Sequence, residues 1–235
     1  MKVLATLSVS LVLMFSGLSF AEDATTPVVS VVNIQTSNPM AYTAYLQDNP
    51  QIFETLGAQS GGTCMTLSGH RYPGQAFAYS FYGDAASAFK SARMYARAPR
   101  SAELEAISTV VSTEFYAVLK PFSLPSGFER RYQLVVNDAA GYIAAATQLE
   151  KAMQDNGHNV EIGIFQPMGN GRQKSNLLDV RIFAVEPEVA GMMVNDFLQQ
   201  KSWAAEPYGR LLKTVESLEL DTFEDCVQVY PAPGE

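Results

Sequence analysis

Arg131–Gly157 reads RYQLVVNDAAGYIAAATQLEKAMQDNG and changes its period at a single residue. Arg131–Asn137 (RYQLVVN) ends in apolar, β-branched residues and reads as a strand. Asp138 carries a short side-chain acceptor that can cap the amides of a first helical turn. Ala139–Asn156 then favours helix, and Gly157 stands just past its end, where a left-handed residue is wanted. Strand, cap, helix and glycine follow one another without a spare residue. That order fixes how the rest of the chain is parsed.

The same opening occurs one hundred residues earlier. Val28–Ile34 (VVSVVNI) reads as a strand, and Asn38-Pro39 supplies a cap and a first-turn proline. Tyr42, Tyr45, Leu46, Ile52, Phe53 and Leu56 recur at helical spacing, with Pro50 as a break and Gly57 as a stop. Thr63–Tyr72 and Gln75–Tyr82 form a hairpin around Pro73-Gly74. Asp84 caps a helix from Ala85 to about Ala98, Ser101 opens another helical stretch, and Thr113–Leu119 closes the half as a strand. After Asp138 the later half repeats the order. Asn159–Gln166 and Leu177–Val185 are strands around Gly169-Asn170-Gly171. Pro187–Gln200 and a stretch near Tyr208–Ser217 are helical, and Asp225–Tyr230 is the last strand. Each half is β-α-β-β-α-β, the ferredoxin-like unit. We therefore expect α+β repeats at 28–121 and 128–231, joined by Phe122–Gly127. Val31-Val32-Asn33 against Val135-Val136-Asn137 is one of the few local likenesses between them.

Composition narrows the setting. The 235 residues are 47% hydrophobic and 17% charged, an ordinary folded profile. Lys+Arg is 16 against Asp+Glu 24, and the formal charge is -8. That balance argues against a nucleic-acid partner and against an anionic membrane surface. Met1–Ala21 has Lys2, an uncharged run over Val3–Phe15, and small residues at Ser19 and Ala21: the plan of a secretory signal peptide cut after Ala21. The expectation is a periplasmic or secreted protein with no membrane segment after cleavage.

A ferredoxin-like unit covers one sheet face with its helices and leaves the other bare. Two units can bring their bare faces together as a closed barrel, which also removes sheet edges. In element order and size, Val28–Pro231 resembles the dimeric α+β barrel superfamily, which includes the antibiotic-biosynthesis-monooxygenase-like proteins. The resemblance implies a single chain that is its own pseudo-dimer; further oligomers stay open. Two separately folded ferredoxin-like domains are the rival arrangement.

The two cysteines bear on that choice. In a ferredoxin-like sheet the spatial order is 4-1-3-2, so strands two and four are edges. Barrel closure sets strand two of one half beside strand four of the other. Cys64 lies on the former and Cys226 on the latter. An oxidising compartment favours their bridge. It would close a loop of about 160 residues and restrict the unfolded chain by about 4–5 kcal/mol.

Strand alternation separates a polar face from an apolar one. Asn33, His70, Glu114, Asn137, Glu161, Asp179 and Arg181 fall on faces expected to line the barrel as a mixed polar cavity. Buried, they must pair, and Asp179 and Arg181 can pair across the barrel. As satisfied structural groups they need no ligand; as a ligand-binding set they would be Asn33, His70, Glu114, Asn137, Asp179 and Arg181. No metal site and no cofactor is expected, because the ligand-forming residues do not cluster and no phosphate-binding or nucleophile-elbow motif is present. His158, after Gly157, reads as a cap on helix carbonyls, and Trp203 as a packing residue.

Two functions follow. The first is a non-catalytic exported protein that binds a small molecule or a partner through the barrel or its helical surface. The alternative, implied by the resemblance, is a cofactor-independent monooxygenase-like enzyme in whose barrel His70, Asn33 and Asn137 would handle a small organic substrate.

Overall fold

The computed structural model describes residues 25–123, 127–169, 171, 174 and 176–231. The export signal expected over Met1–Ala21 lies outside the described residues, as do the middle of the linker and most of the loop after Gly169. The first half runs β1 (Val28–Gln35), α1 (Pro39–Asp48), α2 (Gln51–Thr55), β2 (Ser60–Ser68), β3 (Gln75–Tyr82), α3 (Ala85–Tyr95), α4 (Ala102–Ile107) and β4 (Thr109–Lys120). The second runs β5 (Phe128–Val136), α5 (Ala139–Asp155), β6 (Val160–Met168), β7 (Leu177–Ala184), α6 (Pro187–Leu198), α7 (Ser202–Leu212) and β8 (Val215–Tyr230).

The expected caps form. The side chain of Asn38 accepts from the Ala41 amide at 3.0 Å, Asp84 from Ser87 at 2.7 Å and Asp138 from Gly141 at 3.0 Å. Each satisfies an amide that the first turn leaves without a helical partner. Pro50 ends α1 and starts α2.

The eight strands close into one barrel in the order β1-β3-β2-β8-β5-β7-β6-β4. Each half keeps its own four strands together, and two antiparallel seams, β2 with β8 and β4 with β6, join the halves. Cys64 and Cys226 face each other in the β2–β8 register and are bonded, 162 residues apart in the chain. The sheet carries two apolar surfaces. Outward-facing residues such as Leu134, Ile162, Ile164, Leu178 and Val180 pack under α5–α7, and Val28, Ile34, Ala76 and Tyr82 pack under α1–α4. Val29, Val31, Phe77, Tyr116, Val118 and Phe165 pack inside with the disulfide.

Several elements differ in their bounds from the sequence reading, β2, β8 and the helix before β8 most of all. β2 begins at Ser60 rather than Thr63 and ends at Ser68 rather than Tyr72. Gly61 and Gly62 weaken a strand on propensity but are required by contact. A Cβ at Gly61 would stand 2.3 Å from the Phe53 ring, and one at Gly62 would stand 2.2 Å from the Val227 carbonyl oxygen. β8 starts at Val215, ten residues earlier than Asp225. Thr222 and Glu224 occupy its buried face, so polarity alternates against the usual sense. The helix before it is Ser202–Leu212 and includes Pro207.

Candidate functional site

The middle of the barrel is filled by charge. The Arg131 guanidinium donates to Asp179 at 2.9 Å and pairs with Glu224 at 3.8 Å. Arg181 donates to Glu129 at 2.9 Å and pairs with Asp179 at 3.4 Å and Glu224 at 3.5 Å. Gln133 donates to Asp179, and Thr222 to Glu224. Both guanidiniums lie over the Phe77 ring, at 5.5 and 4.9 Å from its centroid. All five charged groups are buried. Burial alone would raise the Asp179 carboxyl, but Arg131 and Arg181 outweigh it and hold the group below the ordinary carboxylate range. Glu129 goes the other way. Burial, with Glu224 beside it, pushes its carboxyl up to about 7 against the opposing pull of Arg181.

Above this floor, toward the start of β5, lies a cavity of about 340 Å³. Its walls carry Val29, Val31, Tyr79, Phe81, Tyr116, Phe165 and Phe183, and its floor carries Glu129, Asp179 and Arg181. Phe122 roofs it, stacked on Phe183 at 3.7 Å and edge-on to Phe81 and Phe165 at 6.1 Å each.

The structure divides the residues singled out in the sequence. Asp179 and Arg181 line the cavity and pair, as alternation on β7 requires. Asn33 and Glu114 lie inside the barrel toward its opposite end. There the Asn33 amide donates to the Ser112 hydroxyl at 3.0 Å, and Glu114 accepts from Ser112 and Tyr116. His70 and Asn137 do not line the barrel. His70 is exposed in the loop after β2, because that strand stops at Ser68. Asn137 is exposed one residue beyond β5, where its amide donates to the Lys213 carbonyl at 3.3 Å. Glu161 sits at the cavity rim against Ser123. His158 does not cap carbonyls as expected: its Nε2 lies 3.1 Å from Asp196, and its ring packs on Trp203. Glu129, Arg131, Gln133 and Glu224 were not among the candidates, although alternation along RYQLVVN already put Arg131 and Gln133 on one face. Among the described residues, Cys64, Cys226, Glu129 and Glu224 bring four potential donor atoms within 4.8 Å, but the two sulfurs are bonded to each other.

A second cavity, which the sequence did not reveal, lies on the outer face of the barrel under α5, α6 and α7. It holds about 430 Å³ and is apolar in its depth: Leu134, Leu149, Met153, Ile162, Val180 and Met193 form its walls. Its polar groups gather together. Arg130 and Asp221, bonded at 2.8 and 2.9 Å, line it with Tyr132, Tyr142 and Tyr208. Arg130, Asp221 and Tyr208 are partly exposed and mark the mouth. Tyr142 is 2% exposed. Its hydroxyl makes no hydrogen bond among the described residues, and its electrostatic neighbours are Tyr132 and Tyr208. Burial pushes the Tyr142 hydroxyl well up, so it stays protonated and able to donate. The signal that could have found this cavity is the contrast between the split α1–α2 and the single long α5.

No family model and no curated protein matches this chain. Its fold does match solved structures. A monooxygenase candidate from Lactobacillus acidophilus NCFM superposes with a TM-score of 0.56 at 10% identity, over 87% of this chain and 97% of its own. A chlorite dismutase candidate gives 0.51 at 10% identity, over 86% and 95%. An anthrone oxidase-like protein gives 0.50 at 10% identity, over 89% and 95%. Such identities speak to architecture. With the barrel order, the cross-half seams and the disulfide across one of them, they show that this chain has the fold of the dimeric α+β barrel proteins, with both units in one polypeptide.

Proposed function

We propose that this protein binds an amphipathic small molecule in the cavity under α5–α7. The ligand has an aliphatic body and an oxygen acceptor at one end. One observation carries the reading: an apolar space of about 430 Å³ whose few polar side chains, Arg130, Asp221, Tyr132, Tyr142 and Tyr208, gather together. Its size falls within the range of ligand sites. The Tyr142 hydroxyl faces this space and can donate to an acceptor on the ligand. Tyr132, Tyr208 and Arg130 sit around the same end and can receive the remaining lone pairs. The export pattern of Met1–Ala21 supports placing this binder in the periplasm or outside the cell. A monooxygenase-like reaction on such a ligand is the second reading, and the names of two fold neighbours support it.

The chain contains one tryptophan, Trp203. Its ring packs edge-on to Phe197, a wall of the cavity, at 5.5 Å. Titration with dodecanoate should therefore give a saturable change in tryptophan emission. Leu149→Phe combined with Val194→Phe, which fills the space from α5 and α6, should abolish that change while circular dichroism stays as before. An unsaturable response, or full binding by the filled variant, would overturn the reading. Turnover of a bound probe under oxygen, followed by mass spectrometry, separates the second reading from the first.

A further inference from the structure

The barrel cavity is a different site and stands independently of the one under α5–α7. Its floor is one cation short. Two buried guanidiniums face three buried carboxylates: Arg131 pairs with Asp179 and Glu224, Arg181 pairs with Glu129, Asp179 and Glu224, and the part-buried Arg71 joins this network through Gln133, to whose amide oxygen it donates. Buried charges are ordinarily paired, and the excess here is negative. The walls suit the missing charge. Tyr79, Phe81, Tyr116, Phe122, Phe165 and Phe183 surround a space of about 340 Å³, and ring faces attract cations that approach within about 6 Å of their centroids. The Phe77 ring beneath already holds both guanidiniums in this way.

We propose that this cavity is a binding site for a small organic cation of the ammonium class, whose apolar substituents sit against the rings and whose charge completes the balance of Glu129, Asp179 and Glu224. Arg181 is no obstacle, since three carboxylates engage it and its face is turned on Phe77. Glu129 lines the cavity itself. Without a ligand, a proton on Glu129 supplies the missing charge, and the cation competes with that proton. The charged groups that act on Glu129 are Arg181 from β7, Arg131 from β5 and Glu224 from β8, with Asp179 of β7 paired to the same Arg181; β2 contributes the uncharged disulfide.

Calorimetric titration with choline and with its neutral carbon isostere, 3,3-dimethylbutan-1-ol, tests the proposal. Choline should bind at least about tenfold more tightly, and its affinity should rise several-fold from pH 6 to pH 8 as Glu129 gives up its proton. Glu129→Gln, close in shape and uncharged, should erase both the preference and the pH dependence. Phe122→Leu keeps every charge and removes the roof ring, so it should weaken choline several-fold. Tyr142→Phe, in the other cavity, should leave choline binding unchanged. Equal affinity for the two probes, no binding by the folded wild type, or a Glu129→Gln variant that still prefers choline would each overturn the assignment.

Discussion

The two halves use the same element order and place equivalent tyrosines in unequal surroundings. Tyr42 and Tyr142 each stand four residues after the cap of their first helix, Asn38 and Asp138, and each is buried between helix and sheet. Around Tyr42 the space is about 70 Å³; around Tyr142 it is about 430 Å³. The difference lies in the helices. Pro50 splits the first into α1 and α2, and α2 drives Ile52 and Phe53 into the gap; α5 is unbroken and has no such turn. The interiors diverge as well. The buried carboxylates Glu129, Asp179 and Glu224 and the buried guanidiniums of Arg131 and Arg181 all belong to the second half. The first contributes Val29, Val31, Cys64 and Phe77 to the interior. Duplication thus gave one half whose space between helices and sheet is filled and one that carries the buried charge and an open space under its helices, while both halves wall the barrel cavity.

That contrast can be broken experimentally. The largest effect should come from removing the staple between the halves. Cys64→Ala with Cys226→Ala should lower stability by about 4–5 kcal/mol and leave a single denaturant transition. Two separate transitions would show that the halves do not share one barrel. Next, Phe53→Ala should cost about 3–5 kcal/mol because it opens a hole in a filled site. Phe197→Ala borders space that already exists and should cost clearly less by the same assay.

A third effect depends on pH. The folded carboxyl of Glu129 lies above its unfolded value of 4.5, at about 7. Its contribution to stability is therefore fully present below pH 4.5 and is lost as pH rises toward 7 and beyond. Asp179 has the opposite sign: its folded value lies below 3.8, so its contribution is present above pH 4 and disappears in stronger acid. Chemical denaturation between pH 5 and pH 8 should show a decline that Glu129→Gln removes; a decline unchanged in the variant would assign it elsewhere. The smallest effect compares two tyrosines. Tyr82 is bonded to Ser91 at 2.6 Å, so Tyr82→Phe should cost about 1 kcal/mol. Tyr142→Phe loses no protein hydrogen bond and should leave stability almost unchanged while weakening dodecanoate several-fold.

Much of the architecture was legible because local signals agreed. The caps at Asn38, Asp84 and Asp138, the stops and the strand periods each repeated in one order, and barrel closure then set Cys64 against Cys226. Alternation on β7 put Asp179 and Arg181 on the inner face. What failed did so through contact between distant residues. Gly61 and Gly62 belong to β2 because of what Phe53 and Val227 do around them, and extending that strand too far carried His70 onto a face it never reaches. The buried polar face of β8 inverted the hydrophobic signal, hiding Glu224. A cavity is a property of what several helices fail to fill, and no single stretch of sequence states it.

The account rests on an occupied second half and a filled first half. Crystals soaked with 12-bromododecanoate and measured at the bromine edge test this directly. The expected result is an anomalous peak deep under α5–α7, near Met153 and Met193, with the carboxylate at Tyr142. A crystal with no peak there, or with its peak beside Tyr42 instead, would contradict the account.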